Sequence, residues 1–408
     1  MTLAVAVTSR TAFSLLVPPL IGEFGWDRGL VAGAFSFGFL VSAVMSPLVG
    51  RIMDRHGPRP VIEGGVVLVA AGLLLAPLIA AAWQFYLTLG VLVGAGANLM
   101  SFTAHSQFLP NWFVRRRGLA ISLAFSGVGV GAIALLPWLQ AIIEGEGWRA
   151  ACRVMGLLVL LVLGPINLFV WRAPRDIGLQ PDGTAAVAAA ARAASAVVDR
   201  DWVATDWTLR RALATGRFWW LSLGFFCALF AWYAVQVHQT KYLIEIGFPP
   251  MVAAWGLGIV SAVAIPGQIG LGALSDRIGR EWIWTAGCVG FAICYATLIA
   301  LEAGPSTPLL WVMVISQGSL GYALTSVMGP IVAEIFEGRQ FGAIFGTLTV
   351  PSIAGGATGP FVCGVIHDAT ASYRPAFLLA IACCAISAVA IWRAAPGRVR
   401  RVPGRARA

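Results

Sequence analysis

The chain has 408 residues, 59% hydrophobic and 11% charged, with a mean hydropathy of +0.82. A soluble domain carries roughly 25% charged residues, so this composition excludes a water-solvated globule and requires a surface that faces lipid. The net charge of +10 does not point to nucleic acid. Its basic residues are spread over short loops and a C-terminal tail, which is the footprint of a cytoplasmic face.

A helix needs about 20 apolar residues to span a bilayer. That rule predicts twelve spans, at 2–21, 29–50, 60–81, 84–109, 119–142, 150–172, 217–240, 251–273, 281–302, 308–329, 341–364 and 375–393. Helices are required because backbone polar groups in lipid must be satisfied within the segment, and no alternating barrel pattern is present. No cleavable signal precedes the first run, which starts at Thr2 without a charged leader. The loops after even-numbered spans carry Arg51, Arg55, Arg59, Arg115, Arg116, Arg117, Arg277, Arg280 and Arg339, and the tail carries Arg398, Arg400, Arg401, Arg405 and Arg407. Both termini and the even loops are therefore expected in the cytoplasm of a cell whose inner membrane holds the protein.

The organisation is two bundles, 1–172 and 217–393, joined by a linker over 173–216 and followed by a basic tail over 394–408. The alanine-rich middle of the linker reads as flexible. Its end, with Trp207, Leu209 and Leu213 against Arg210 and Arg211, reads as a short interfacial helix. The halves echo one another. Gly50, Asp54, Arg55, Gly57 and Arg59 form a basic turn, and Gly272, Asp276, Arg277 and Gly279 repeat it at matching spacing. Glu23–Trp26 is echoed by Glu245–Phe248, and Trp148-Arg149 by Tyr373-Arg374. Parallel six-span repeats are a transporter architecture.

The turn Gly-x-x-x-Asp-Arg-x-Gly-x-Arg and the duplication around it resemble the major facilitator superfamily, along nearly the whole chain. The runs Phe24-Gly25-Trp26, Asn111–Ala120 and Gly178–Gly183 resemble its monocarboxylate and oxalate/formate transporter branch. The resemblance implies an all-α membrane protein of twelve helices in two pseudo-symmetric six-helix bundles, moving small carboxylates, often with a proton. It also implies that the residues of the two turns act as an inner gate. That branch usually has an arginine in span eight where this chain has Gln268, and an aspartate where it has Ala264; the oxalate carriers' span-eleven lysine has no counterpart between Phe341 and Gly364.

An ionisable group inside a membrane costs a few kcal/mol or more, so each is a functional candidate. Arg10, between Ser9 and Thr11 in span one, is placed to hold a carboxylate through two parallel hydrogen bonds. The competing reading is a guanidinium that snorkels to a headgroup. His238, Lys241 and Glu245 share adjacent faces of span seven, either as an outer anion funnel or as a capped helix end with a surface ion pair. Asn98, Ser101 and His105 form a polar stripe on span four that reads as cavity lining or as hydrogen-bonded core. Tyr233, Gln236 and Thr240 in span seven, with Gln317, Ser319, Tyr322 and Ser326 in span ten, supply orientation without charge or bond helix to helix.

Several absences narrow the choice. No carboxylate falls near the middle of any span, so a proton, where coupled, has His105 and His238 as seats or travels on the substrate. No phosphate-binding loop is present and the four histidines are scattered, so neither ATP, a metal nor another cofactor is expected. The seven cysteines fall in apolar runs and imply no disulfide framework. The expected protein is a monomeric secondary transporter of a small organic anion, not an enzyme. The alternatives are an exporter of an uncharged or cationic compound with the same fold, and a membrane sensor that does not transport.

Overall fold

The computed structural model describes residues 1–183 and 195–405; within helices the side chains of a few residues, Arg10 and Arg28 among them, lie outside the described set. The described chain is helical, with one isolated bridge pair, Val197 with Arg400. Its helices are α1 (Thr2–Thr11), α2 (Phe13–Phe24), α3 (Arg28–His56), α4 (Pro58–Leu75), α5 (Ala82–Trp112), α6 (Arg117–Glu146), α7 (Trp148–Asn167), α8 (Gly216–Glu245), α9 (Pro250–Ile278), α10 (Arg280–Ala300), α11 (Thr307–Ile335), α12 (Phe341–Thr370) and α13 (Arg374–Ala394). Eleven are long and apolar enough to cross a membrane, and the shorter apolar stretch Leu15–Phe24 joins them.

The chain forms two compact units. Unit 1 comprises Met1–Trp112 and Gly127–Pro181; unit 2 comprises Phe113–Ser126 and Asp182–Ala408. In unit 1 a contiguous apolar core runs from Val5 and Phe13 through Phe85 and Val93 to Trp148 and Leu163. Small residues bring α3 and α5 together: a Cβ on Gly94 would lie 2.8 Å from the Gly38 Cα. Such close approach is how helices associate where no water drives them together. In unit 2 the same device joins α8 to α12, where a Cβ on Gly355 or Gly359 would overlap the carbonyls of Phe226 and Phe230. Two of the large buried polar side chains there bond within the bundle: Trp284 Nε1 donates to Ser387 Oγ at 3.0 Å, and Tyr295 Oη to the Ala231 carbonyl at 2.6 Å.

Several expected boundaries are corrected. The first span is not one rod over 2–21: a break at Ala12 separates α1 from α2, which carries Pro18 and Pro19 and runs on to Phe24. Neither proline can donate to the preceding turn. The last helix of the first half ends at Asn167, short of 172. The repeated basic turns are barely loops. α3 continues to His56 and α9 to Ile278, and the next helices start at Pro58 and Arg280, so a single glycine makes each corner. Gly57 (φ 80°, ψ −178°) and Gly279 (φ 111°, ψ 152°) take backbone conformations nearly closed to other residues.

The linker and tail also differ from expectation. A short helix does form at Leu209–Leu213, but Trp207 before it is buried against Trp202 and Phe336 rather than laid on an interface. The alanine-rich stretch over 184–194, read as flexible, lies outside the described residues. The tail packs onto unit 2, with Val399 and Val402 buried.

Candidate functional site

The densest charged cluster sits where α9 turns into α10, within unit 2. Arg280, fully buried, reaches Asp276 Oδ1 at 2.7 Å and Glu334 Oε1 at 2.9 Å, and also bonds Ser275 Oγ. Asp276 additionally accepts from the backbone N–H groups of Gly118 (3.1 Å) and Leu119 (3.2 Å) at the start of α6. The first amides of a helix lack intrahelical partners and carry partial positive charge, so a carboxylate there satisfies both. Arg117 meets Glu337 at 3.3 Å, and Arg400 of the tail pairs with the same carboxylate. The arrangement can hold one helix start against a turn through a few charge-assisted bonds, and release it when they part.

The residues expected to form the gate divide. Asp276 is central and buried, while Arg277 is exposed. Gly272 lies buried against Ser122 of α6, close enough that a Cβ would collide with it. Gly279 is the corner itself. In unit 1, Gly50 and Gly57 are buried, Asp54 is half-buried, and Arg55 and Arg59 are exposed. Sequence reasoning missed Arg280, Glu334, Arg117 and Glu337. Arg280 was visible only as a residue of the orientation signal, and Glu334 only as an acid near a span end.

A second cluster in unit 2 is aromatic and uncharged. The Trp232 and Tyr322 rings lie 4.2 Å apart, and Trp232 Nε1 donates to Gln236 Oε1 at 3.1 Å. Tyr233 lies over Gly356, whose missing side chain makes room for its ring. Gln317 is fully buried with its Nε2 unpartnered. The spacing that grouped Ser319, Tyr322 and Ser326 is altered by a π-helical segment, Ser316–Leu320, and a 3-10 turn, Gly321–Ala323. Wide turns of this kind recur at functional sites. Gln268 is buried, and its backbone carbonyl accepts from Ser326 Oγ at 3.3 Å.

The three groups of span seven do not converge. Lys241 is exposed and pairs with Glu245 at 3.6 Å. His238 turns instead to the Pro360 carbonyl (Nε2, 2.9 Å) and to the Tyr373 hydroxyl (Nδ1, 3.4 Å). Because a carbonyl only accepts, Nε2 carries the proton and Nδ1 accepts from Tyr373 in the neutral ring.

In unit 1, Asn98 Nδ2 donates to the Ser42 carbonyl at 3.1 Å and to Ser46 Oγ at 3.2 Å, which ties α5 to α3. The stripe that included it is interrupted, because α5 breaks at Met100 and Ser101. His105 is half-buried and its Nδ1 donates to the Ser101 carbonyl at 3.0 Å. The Arg10 side chain lies outside the described residues. Most of its helix is buried, from Thr2 to Ala6 and at Thr8 and Ser9, while Val7 is half-buried. A cavity of about 30 Å³ lies beside it, lined by Ser9, Ala12, Phe13 and Leu139 among others.

Apolar helices of spanning length, paired glycine corners and internal charge clusters define a polytopic helical membrane protein. The family model described as Major Facilitator Superfamily matches residues 1–328 and 244–408, and the chain belongs to that superfamily of transporters. Among similar proteins are monocarboxylate transporter 13 of Rattus norvegicus, 24% identical over 90% of this chain and 81% of its own, and the oxalate:formate antiporter of Oxalobacter formigenes, 24% identical over 85% and 79%. Among solved structures, the proton:xylose symporter XylE superposes with a TM-score of 0.76 at 13% identity, covering 98% of this chain and 95% of that one. The E. coli fucose:proton symporter FucP gives 0.72 at 16%, covering 97% of each. The protein has the twelve-helix major facilitator fold and moves a small molecule.

Proposed function

We propose that the protein carries a small organic anion, a carboxylate, across the cytoplasmic membrane by alternating access between the repeats 1–172 and 217–393. The observation that carries this reading is the burial of most of α1, Thr2 to Ala6, Thr8 and Ser9, on the helix that bears Arg10. A guanidinium on a helix that the protein wraps is better placed to meet a substrate than to reach a lipid headgroup. The names of the similar proteins, monocarboxylate transporters and an oxalate:formate antiporter, support the same class. The absence of an arginine at Gln268 puts the anion's counter-charge on Arg10 instead. The Asp276 turn serves as the inner gate, and the arginines around it support a cytoplasmic side for it. His105 and His238 are the seats for a coupled proton.

A second reading rests on the uncharged cluster of Trp232, Tyr233, Gln236 and Tyr322, which suits export of a neutral polar compound. Uptake of labelled carboxylic acids into proteoliposomes separates the two. Arg10→Ala is expected to abolish uptake and Arg10→Lys to recover little of it, because a bidentate contact is not reproduced by an ammonium. Undiminished uptake in Arg10→Ala would overturn the anion reading and leave the neutral one.

A further inference from the structure

The segment before the second bundle and the C-terminal tail meet on unit 2. Val197 and Arg400 pair as an antiparallel bridge. The Val198 N–H donates to the Val399 carbonyl at 2.9 Å, and the Arg401 N–H to the Ala196 carbonyl at 2.8 Å. Both strands are then fastened to the gate. Trp202 Nε1 donates to the Ile335 carbonyl at 2.8 Å, one residue from Glu334. The Gly397 N–H donates to Glu281 Oε1 at 2.6 Å, next to Arg280. Gly404 lies so close to the Arg277 backbone that a Cβ would stand 2.6 Å from its Cα.

Arg400 makes the connection electrostatic. Its side chain is only 16% exposed and shares Glu337 with Arg117, the first residue of α6. Burial, and after it the neighbouring Arg117 charge, lowers the Arg400 guanidinium to about 10, which leaves it charged at neutral pH. Glu337 thus holds two cations, one at the helix start that Asp276 caps and one on the tail.

We propose that residues 196–202 and 396–404 form a strap that restrains the Asp276 gate, an autoinhibitory contact in which Arg400 on Glu337 opposes release of the α6 start. The proposal rests on the gate reading of Asp276 and is tested so that the two can fail separately.

Hydrogen–deuterium exchange on the purified full-length protein reads the restraint without a substrate. Peptides covering Phe113–Ser126 report the Gly118 and Leu119 amides. Arg400→Gln, and a chain ended after Ala395, are each expected to raise exchange there about tenfold, as loss of a local restraint does. Arg401→Gln, at an exposed side chain, is expected to leave it unchanged. Should the shortened chain fail to fold, Arg400→Gln alone carries the test, with Arg400→Lys restoring part of the protection. Wild-type exchange at 113–126 in Arg400→Gln overturns the strap. If Asp276→Asn raises that exchange while Arg400→Gln does not, the gate stands and the strap falls. If Asp276→Asn has no effect either, the gate reading falls with it.

Discussion

The two basic turns repeat one motif, yet they hold different things. At the second, Asp276 is buried, caps the first amides of α6 and shares Arg280 with Glu334. At the first, Asp54 is half-buried, and Pro58 stands where the second turn has Arg280. The backbone is common to both: a helix ends, one glycine turns the corner, and the next helix starts at once. One difference lies in the side chain just after the glycine. A duplicated motif therefore conserves its corner, while the charge that a corner can carry depends on the residue just after the glycine.

The largest expected effect removes that side chain. Arg280→Gln leaves Asp276 and Glu334 buried without their guanidinium, and losing one partner of a buried ion pair costs about 3–5 kcal/mol. Arg59→Gln, at an exposed arginine of the first turn, is expected to stay within about 0.5 kcal/mol. Thermal midpoints of the two purified variants check this. Equal shifts would mean that the two turns are held by charge to the same extent.

Asp276→Asn should come next. It keeps the shape but weakens two backbone bonds to a charged acceptor and one ion pair, while Glu334 still holds Arg280. Hydrogen bonds to charged groups are worth about 1.5–3 kcal/mol each, so a net loss of roughly 2 kcal/mol is expected. The same thermal measurement places this variant between the other two. A loss as large as that of Arg280→Gln would show that Asp276, and not the arginine, organises the cluster.

Much of the architecture was legible because lipid imposes a length on every helix and arginine marks the loops. The number and rough placement of the apolar spans follow from those two constraints. The breaks were not legible. Nothing in Leu87 to Leu92 announces a π-helical segment, and such a segment shifts every later side chain around the helix. The Asn98–Ser101–His105 stripe does not run along one face for that kind of reason: a run of polar residues at helical spacing assumes an unbroken helix, and α5 breaks at Met100 and Ser101. Arg280 was hidden differently. A loop arginine counts as an orientation signal in sequence, and only the placement of Glu334 on α11 shows that this one is buried. The packing of the tail was illegible too, since its arginines served only to mark the cytoplasmic face until Arg400 is seen on Glu337.

The smallest effect tests what the two turns share. Gly57 and Gly279 both lie at positive φ with extended ψ, a region that side chains other than glycine's rarely enter. A Cβ at Gly57 meets nothing nearer than the Arg172 Cβ at 3.6 Å, and one at Gly279 meets Glu281 Oε2 at 3.3 Å. The Gly57 contact is ordinary and the Gly279 contact tight but against a side-chain oxygen that can give way, so the main penalty at both is that of the backbone. Gly57→Ala and Gly279→Ala are each expected to lose about 1–2 kcal/mol, by equal amounts within error. A larger loss at Gly279 would mean that straining the corner also displaces Arg280 from its carboxylates, so that corner and charge form one unit in the second turn. Equal losses would show that the corner was duplicated intact and the charge cluster was built on one copy of it.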